Sequence, residues 1–505
     1  MCEFIGCLYP VFSFLSYSLE NQNIYKYRIV ILIIMKLNFI NRKQELEFLE
    51  NRYKNNGFEF IILYGKRRVG KTELIKKFLA NKKHIYFLCD KSGSERNFMR
   101  FKNKIAEYLN EPTIETNDLE EIFKNLAIKS KEKSVIVFDE FSCLIEKDSS
   151  IPSIFQVVID EILNNTNNML ILCGSSISMM EKGTLSYKSP LYGRRSGHWK
   201  VLPMKFKEIG EFFPKNDNCK NIEFWSVLGG IPFYLDYFSD KESIFDNIYN
   251  QIMNKEGRFY EEIDFILKAE LREPDVYKGI LTAIGSGKTK VSEISSSSKI
   301  KIQDIDKYLK VLIRLGIIER EVSVSESKKT KKAVYGFDDN FFEFWFEFCE
   351  PFKSDIEIGE FSNVKDKLKS DFNSYLGRRF EKLIIELIKD KILLKDISFS
   401  KIGRQWGKFD GEKGKNSYEI DIVALNETQK EALFGECKWQ EGVNALEVVK
   451  ECFVKSKFVE WNNKKRKEYF AVFAKSFKNK IKEFEGKKVY CFDLKDIEKT
   501  LKKGR

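Results

Sequence analysis

The chain has 505 residues, of which 43% are hydrophobic and 32% are charged, and its 87 Lys and Arg against 75 Asp and Glu give a formal net charge of +12. This length predicts roughly two to four domains, and the apolar content excludes wholesale disorder. The positive surplus favours a polyanionic partner. With only two histidines, His84 and His198, a multi-histidine zinc site or a serine hydrolase is not expected, so chemistry falls to carboxylates, lysines and backbone amides.

The ten cysteines are scattered without a CxxC pair, which is typical of reduced thiols in a cytosolic protein. Two apolar runs, 4–15 and 29–35, are each shorter than the roughly 18 residues that span a bilayer. Because an ordinary protein start follows at Met35, residues 1–35 are interpreted as an extension from an over-extended gene model, with a membrane anchor as the alternative. The sequence predicts a cytoplasmic protein without a membrane partner.

An apolar, strand-like run at 60–64 is followed by a glycine-rich loop and then by a helix with apolar residues on one face. The loop matches GxxxxGKT in the strand, loop and helix context that gives this motif its meaning. Its residues are Gly65, Lys66, Arg67, Arg68, Val69, Gly70, Lys71 and Thr72. Backbone amides of such a loop surround phosphate oxygens, Lys71 reaches the β- and γ-phosphates, and Thr72 ligates Mg²⁺. The loop therefore predicts ATP and Mg²⁺ as cofactors.

Two further apolar runs end in polar residues that belong at the same edge of a parallel sheet. The run 134–138 ends in Asp139 and Glu140, and a third run, 169–173, is followed closely by Ser175. We expect Asp139 to hold Mg²⁺ through water and Glu140 to polarise the attacking water. Ser175 either contacts the γ-phosphate or the attacking water, or is a simple turn serine.

Residues 36–240 resemble the archaeal P-loop ATPases allied to AAA+ and STAND NTPases, because several separated segments match that family. The segment 39–46 resembles the family pattern F-x-G-R-x-x-E-L, with Asn41 in place of the usual glycine. The resemblance implies that Arg42 lies beside the adenine. The segment GGIPFY, which contains Pro232, resembles the family's lid motif, which closes over the nucleotide.

Arg194 lies in the segment PLYGRR, which resembles the part of the family that carries a γ-phosphate-sensing arginine. The resemblance implies a finger role for Arg194, in cis or from a neighbouring subunit of a possible homo-oligomer. The alternative is an ordinary surface ion pair.

Beyond the lid, the pattern predicts helices followed by a hairpin, with strand-like runs at 317–322 and 333–337 around a lysine-rich tip at 323–332. This order resembles a winged helix with its recognition helix near 303–314, which implies phosphate contacts with DNA. The alternative is a packing module with a solvated turn. The motif at 285–289, GSGKT, is not a second P-loop, because a helix and not a strand is predicted before it.

A stretch dense in Phe and Trp, 337–351, is interpreted as core or interdomain packing. The charged stretch 351–366 is the predicted linker to the last domain, whose first helix is predicted to open at Gly377.

The last domain presents acids in a fixed order: Glu381 on a predicted helix, Asp421 on an alternating strand, then Glu436 and Lys438 on one face of a second strand. This order resembles the PD-(D/E)xK restriction-endonuclease-like nucleases, including forms fused behind archaeal ATPases, with Ile420 where a proline often stands. The resemblance implies that the three acids hold Mg²⁺ and that Lys438 orients or deprotonates the attacking water.

The same scaffold also binds DNA without cutting it. The basic cluster at 464–467 either adds phosphate contacts or is a solvated loop.

The expected fold class is α/β: a P-loop NTPase with a parallel sheet, then a helical lid and a winged helix, then a small α/β restriction-endonuclease-like domain. The expected boundaries are 36–215 for the ATPase core, 216–273 for the lid, 274–350 for the winged helix, 351–366 for the linker and 367–505 for the nuclease-like domain. We predict an ATP-hydrolysing ATPase coupled through the winged helix to a Mg²⁺-dependent nuclease-like domain acting on DNA. The alternatives are a STAND-like signalling ATPase with an inactive C-terminal interaction module, and a DNA-binding regulator in which ATP only sets the oligomeric state.

Overall fold

The computed structural model describes residues 39–130, 132–327, 330, 332–411, 414–463 and 465–503. The predicted N-terminal extension therefore lies outside the described residues, as do Lys328, Lys329 and Lys331 of the predicted wing and Lys464 of the basic cluster. The chain divides into two compact units, 1–41 and 42–505. In the first, the described Asn41 has a left-handed backbone, with φ 54°. None of the helices in the described ranges is long and apolar enough to cross a membrane.

The second unit begins with an α/β layer around a five-stranded parallel sheet of order β2-β3-β4-β1-β5. Its central strands β1, β3 and β4 are completely buried, as expected for apolar runs covered on both faces. The strands are β1 Glu59–Tyr64, β2 His84–Leu88, β3 Val135–Asp139, β4 Met169–Gly174 and β5 Gly197–Lys200. The predicted parallel sheet and its three apolar strands are confirmed.

Helices cover both faces of this sheet, and each buries an apolar stripe. They are α1 Lys43–Lys54, α2 Lys71–Leu79, α3 Ser94–Leu109, α4 Leu119–Lys129, α5 Ser142–Lys147, α6 Ile151–Val157 and α7 Ile177–Met180, with π-helical turns at Val158–Ile162 and Glu181–Leu185 and a 3₁₀ turn at Leu163–Asn165. Phe101, Phe123, Phe138 and Phe155 pack ring against ring under α3, α4 and α6. This aromatic cluster fixes the helices against the strand that carries Asp139.

A helical segment follows the sheet and returns to the P-loop side. It consists of α8 Phe206–Phe212, α9 Asn218–Leu228, α10 Pro232–Leu235, α11 Ile244–Ile248, a π-helical turn at Tyr249–Met253 and α12 Glu262–Glu270. At Gly230 this segment passes very close to the chain that follows β5, where a Cβ would lie 1.8 Å from the carbonyl oxygen of Met204. Only glycine fits this crossing, which sets where α10 begins.

Three more helices, α13 Pro274–Gly285, α14 Val291–Ser298 and α15 Ile302–Arg314, precede an antiparallel hairpin of β6 Ile318–Glu321 and β7 Val334–Phe337. The helix and the two strands predicted here are therefore present. Helix α13 ends at Gly285, so the GSGKT segment follows a helix, as the sequence predicted.

Most of the predicted linker 351–366 is helical. A 3₁₀ turn Glu350–Phe352 and α17 Lys353–Ile358 lead into the 28-residue helix α18 Ser362–Lys389. This helix therefore begins at Ser362 and not at Gly377, because Val364, Leu368 and Phe372 continue its buried face towards the N-terminus.

Helix α18 leads from the helical segments of the second unit to the last part of the chain. It packs on the aromatic stretch 337–351, which was predicted to be a packing segment. This stretch contains α16 Asn340–Phe344 and a π-helical turn Trp345–Cys349. The ring of Tyr375 packs on Phe344 and Phe348, and its hydroxyl donates to the carbonyl oxygen of Ser226 at 2.6 Å. The long helix is thus tied to α9 of the preceding segment.

The last part of the chain forms a six-stranded mixed sheet of order β14-β15-β12-β10-β9-β8. Strands β8, β9 and β10 are antiparallel, and β10, β12 and β15 are parallel. The elements are β8 Lys401–Gly411, β9 Gly414–Asn426, β10 Glu431–Lys438, β11 Val443–Asn444, α19 Ala445–Ser456, β12 Lys467–Ala474, β13 Phe477–Asn479, β14 Glu483–Phe484, β15 Lys487–Phe492 and α20 Leu494–Lys503. The core between this sheet and α19 contains Ile420, Phe434, Val449 and Val472.

The crossing at Gly230 generates a stability prediction. Gly230→Ala is expected to lower the free energy of unfolding by about 2 kcal/mol or more, because the new methyl group overlaps the Met204 carbonyl. Gly279→Ala is the matched control, since Gly279 lies within helix α13 and a Cβ there meets nothing within 4 Å; it is expected to be neutral or stabilising by up to about 1 kcal/mol. Urea unfolding measures both, and equal effects of the two substitutions would contradict the close crossing.

Candidate functional site

The P-loop joins β1 to α2 at the carboxyl edge of the parallel sheet. Gly70 has φ 89° and so needs glycine's conformational freedom, and a Cβ on Gly65 would lie 2.3 Å from the Val201 carbonyl oxygen. Lys71 is 5% exposed, and its Nζ donates to the carbonyl oxygens of Gly65 at 3.1 Å and Lys66 at 2.9 Å. The loop therefore curls around the lysine that the sequence assigned to the phosphates.

Asp139 is the centre of a hydrogen-bonded group at the end of β3. It is 1% exposed, and its Oδ2 accepts from Thr72 Oγ1 at 2.7 Å and from the Tyr86 hydroxyl at 2.7 Å. Burial, followed by the hydrogen bond to Asp139, raises the pKa of Tyr86. Sequence reasoning missed Tyr86, although a tyrosine in the strand next to β3 was a usable signal.

Glu140 and Ser175 meet beside this group. Glu140 has a left-handed backbone, with φ 53°, and its Oε2 accepts from Ser175 Oγ at 2.6 Å. Such a strained residue at the end of a buried strand is common at active sites. Ser175 thus holds the carboxylate that the sequence predicted to polarise water.

The donor set at this edge fits Mg²⁺, a hard cation that prefers oxygen ligands. The Thr72 hydroxyl and the Asp139 carboxylate already lie within one hydrogen bond of each other. A magnesium ion would be held by these two side chains together with phosphate oxygens of the nucleotide.

Arg42 and Pro232 flank the P-loop from two other parts of the chain. Arg42 has φ 64°, and its Nη2 donates to the Val69 carbonyl oxygen at 2.7 Å. The Cγ atom of Pro232 lies 3.9 Å from the position of a Cβ on Gly70. Both residues thus adjoin the loop, and their roles at the nucleotide stay predictions.

Three of the four cations of the P-loop pair with acids from much later in the chain. Lys66 pairs with Asp339 at 2.8 Å, Arg67 pairs with Glu270 at 3.0 Å, and Arg68 pairs with Glu262. Asp339 follows β7, and Glu262 and Glu270 lie at the two ends of α12. Burial raises the pKa of both glutamates. These pairs could not be predicted from the sequence, because the partners are distant in the chain.

Arg194 forms the surface ion pair that was the alternative to a finger role. Its Nε donates to Asp160 Oδ1 at 2.8 Å, its Nη2 donates to Asp160 Oδ2 at 2.7 Å, and its Nη1 donates to the Pro190 carbonyl oxygen at 2.6 Å. The finger role of Arg194 stays a prediction.

The second cluster lies at the meeting of α18, β9, β10 and α19. Glu436 is almost fully buried, and its two oxygens lie 3.3 Å from Lys438 Nζ and 2.8 Å from Lys455 Nζ. Asp421 Oδ2 accepts from the backbone amide of Cys437 at 2.8 Å. Lys455, on α19, was missed, and lysines are too common in this chain for its position to stand out in the sequence.

Glu381 completes the cluster from α18. Burial, followed by repulsion from Asp421, raises the pKa of Glu381, and burial, followed by repulsion from Glu436, raises the pKa of Asp421. The structure thus brings together all four residues that the sequence predicted here. Across the described ranges, however, no group of three or more His, Cys, Asp or Glu side chains is arranged to hold a metal ion as it stands.

Comparisons with known proteins define the family. Residues 39–238 match the model of an ATPase domain predominantly from Archaea, and residues 345–451 match a model of archaeal and bacterial proteins of unknown function. The chain is 38% identical over 467 residues to the uncharacterized protein MJECL04 of Methanocaldococcus jannaschii, which covers 91% of this chain and 100% of that protein. The chain belongs to the family of MJECL04. Its first domain is an ATPase-family domain, so the predicted resemblance to archaeal P-loop ATPases is confirmed for that part.

Other matches are shorter or more distant. The uncharacterized ATP-binding protein MJ0423 of the same organism is 69% identical over 45 residues, 9% of this chain and 76% of that protein. The Walker-type ATPase PABY2304 of Pyrococcus abyssi is 20% identical and covers 61% of this chain and 96% of its own, with a TM-score of 0.47. The ORC2 protein of Aeropyrum pernix is 13% identical, and the match covers 64% of this chain and 97% of the ORC2 chain, with a TM-score of 0.44.

The P-loop geometry predicts that Lys71→Ala lowers ATP turnover about 100-fold or more, since a preorganised cation at the phosphates is lost. Lys76→Ala is the matched control, because Lys76 is an exposed lysine of the same helix that pairs with Glu73. A phosphate-release assay measures both variants. Retention of near wild-type turnover by Lys71→Ala would exclude this loop as the hydrolysis site.

The second cluster predicts a pH dependence of stability. Because the pKa of Glu381 is raised on folding, the folded protein binds more protons than the unfolded chain above the ordinary carboxyl range, and the free energy of unfolding falls as pH rises from about pH 5 to about pH 8. Glu381→Gln is expected to flatten this fall, as followed by urea unfolding at several pH values. The exposed Glu107 supplies a control, Glu107→Gln, that should keep the wild-type slope; an unchanged slope in Glu381→Gln would refute the shift.

Proposed function

We propose that the protein binds and hydrolyses ATP with Mg²⁺ at the P-loop. The linked group of Thr72, Asp139, Glu140 and Ser175 supports this proposal most strongly. Mg²⁺ at Thr72 and Asp139 would neutralise charge on the phosphates. Lys71 binds the β- and γ-phosphates, and Glu140, oriented by the Ser175 hydroxyl, accepts a hydrogen bond from the attacking water.

We further propose that the C-terminal domain is a PD-(D/E)xK-like nuclease domain. Its order of elements supports this: helix α18 with Glu381, three antiparallel strands, helix α19, and then β12 parallel to β10. Gly435 of β10 lies opposite Ile422 of β9 in an antiparallel pair, so the next residues, Glu436 and Asp421, are neighbours on these adjacent strands.

The chemistry proposed for this cluster is metal-dependent cleavage of a phosphodiester. The donor set of three carboxylates fits Mg²⁺, although Glu436 must first release its contacts with Lys438 and Lys455. The ion would stabilise charge on the scissile phosphate. Lys438 would orient the attacking water by donating a hydrogen bond to it, and the proton of the water would pass to bulk solvent.

We propose that the β6–β7 hairpin, as part of a winged helix, couples the two sites. On one side, Lys66 of the P-loop donates to the Gly316 carbonyl oxygen at 2.6 Å and pairs with Asp339, so it contacts both ends of the hairpin. On the other side, Glu321 of β6 lies 3.2 Å from Arg404 Nη1, and Arg404 Nε lies 3.9 Å from Glu381. Charged contacts on both sides of the hairpin support ATP-dependent control of the C-terminal acids.

Backbone amides between β6 and β7 also donate hydrogen bonds to the C-terminal sheet. The amide of Val324 donates to the Arg404 carbonyl oxygen at 3.2 Å, and the amide of Ser325 donates to Gln405 Oε1 at 3.1 Å. Residues between β6 and β7 thus contact the β8 edge of the sheet. DNA is the proposed substrate and partner, and assembly into a homo-oligomer is proposed for the ATPase domain.

A second candidate function is a STAND-like signalling ATPase whose C-terminal domain only mediates interactions. It is favoured by the pairing of both Glu436 oxygens with lysines and by the absence, within the described ranges, of a preformed metal group. A Mn²⁺ titration of the full-length protein separates the two, with Asp421→Ala as control. Metal binding that Asp421→Ala removes supports the nuclease, and identical isotherms support the interaction module.

The nuclease proposal predicts that Lys438→Ala removes Mg²⁺-dependent nicking and leaves DNA affinity within about twofold of wild type, because it removes a group that acts on the water and not on the bulk of the phosphate contacts. Lys450→Ala, at an exposed lysine of α19, is the matched control and should nick normally. A gel assay of plasmid nicking with a binding titration gives both quantities. If the wild-type protein cuts no single-stranded, duplex or branched DNA with Mg²⁺ or Mn²⁺, the nuclease proposal is wrong.

A further inference from the structure

An open cleft of about 610 Å³ lies beside β5, the edge strand of the ATPase sheet. Its walls include Tyr64, the last residue of β1, and Arg314, the last residue of α15. Lys182 and Arg195 contribute from the segment between β4 and β5. The cleft therefore touches both the residue that precedes the P-loop and the end of the helix that precedes the hairpin.

The cleft carries unneutralised positive charge. Lys182, Arg195 and Arg314 have no ion-pair partner among the residues that the structure describes, whereas the neighbouring Arg194 is paired with Asp160. Arg195 Nη1 is buried without a hydrogen-bond partner in the same part of the chain. A buried, unpaired guanidinium nitrogen costs free energy unless a ligand accepts its hydrogen bond, and an anion suits it best.

The other titratable groups of the cleft do not cancel this charge. Glu181 is the acid in its lining, so one carboxylate faces three cations. Burial, followed by the charge of Arg195, lowers the pKa of His198, which leaves that ring neutral at pH 7. The cleft is thus net positive and fits phosphate.

An exposed pair of tyrosines adjoins the cleft. Tyr187 is 83% exposed and Tyr192 is 41% exposed, with ring centroids 5.2 Å apart. The Arg195 guanidinium lies 5.3 Å from the Tyr192 ring centroid, so one arginine contacts a ring of the aromatic pair and also lines the cleft. Exposed rings beside cations are the combination that stacks bases and tracks a phosphate backbone.

We propose that this surface binds single-stranded nucleic acid, with backbone phosphates at Lys182, Arg195 and Arg314 and a base stacked on Tyr187. A single strand is favoured over a duplex because duplex bases are already stacked and do not offer their faces to a tyrosine. A nucleic-acid strand bound in this cleft contacts Tyr64, which directly precedes Gly65 of the P-loop. The inference rests on the proposed nucleic-acid partnership, but it locates the contact on the ATPase domain and not on the wing or the C-terminal domain.

The test is fluorescence anisotropy of a labelled 15-nucleotide oligo(dT) and of a duplex of equal length, with full-length protein at several salt concentrations. Tyr187→Ala is expected to raise the Kd for oligo(dT) about fivefold or more, and Tyr187→Trp is expected to restore it, because stacking needs only an aromatic face. Arg195→Ala and Arg314→Ala are each expected to raise the Kd and to reduce the salt slope by about 0.7.

Arg96→Ala is the charge-matched control, since Arg96 is an exposed arginine on α3, and it should bind as wild type. Wild-type affinity in the Tyr187, Arg195 and Arg314 variants, or preference for the duplex, would overturn the inference while leaving a DNA partnership elsewhere intact. Absence of binding by wild-type protein to either probe would overturn both. A concentration-dependent loss of ATP turnover in Arg195→Ala without a change in Kd would assign this arginine to the nucleotide of a second copy, and would also overturn the inference.

Discussion

Three neighbouring cations of the P-loop are held by carboxylates that lie far along the chain, and this constraint organises the second unit. The pairs of Arg67 with Glu270 and of Lys66 with Asp339 bridge 203 and 273 positions of sequence. The Arg68 guanidinium also lies 4.4 Å from the Phe233 ring centroid. Because charges in such a partly buried place are costly when unpaired, any rearrangement of the loop must also move α12 and the hairpin. A phosphate-binding loop tied in this way is suited to report its nucleotide to the rest of the chain.

Buried charges also need partners at the C-terminal cluster, because an unpaired buried charge is destabilising. Glu436 pairs with Lys438 and Lys455, and Arg404 Nε lies 3.9 Å from a carboxylate oxygen of Glu381. Arg404 also pairs with Glu321 of the hairpin, so the charge balance of the cluster depends on where the hairpin sits. The two clusters are therefore linked by ion pairs and not by apolar packing alone, which gives the proposed coupling a physical basis.

Local patterns in the sequence were enough to predict the P-loop, the buried strands, the hairpin and the order of the C-terminal acids. The P-loop and each single strand depend on residues within about ten positions of each other, where hydrophobic periodicity and glycine placement are informative. The order of the C-terminal acids extends over a longer stretch and was recognised from its resemblance to a family pattern. The start of α18 was predicted at Gly377 and not at Ser362, because the charged surface of the helix concealed its buried stripe. Tyr86, Lys455 and the acid partners of the P-loop could not be predicted, since only the tertiary fold brings them to their sites.

The central claim, that the nucleotide state reaches the C-terminal acids through the hairpin, is tested most directly by one nuclease assay. Cleavage of a panel of single-stranded, duplex and branched DNA is measured with and without ATP, for wild type and for Asp339→Asn, which breaks the Lys66 pair. The account predicts that ATP changes the wild-type cleavage rate and that Asp339→Asn cuts at a rate independent of ATP while still hydrolysing it. Equal ATP dependence in the two proteins would contradict it.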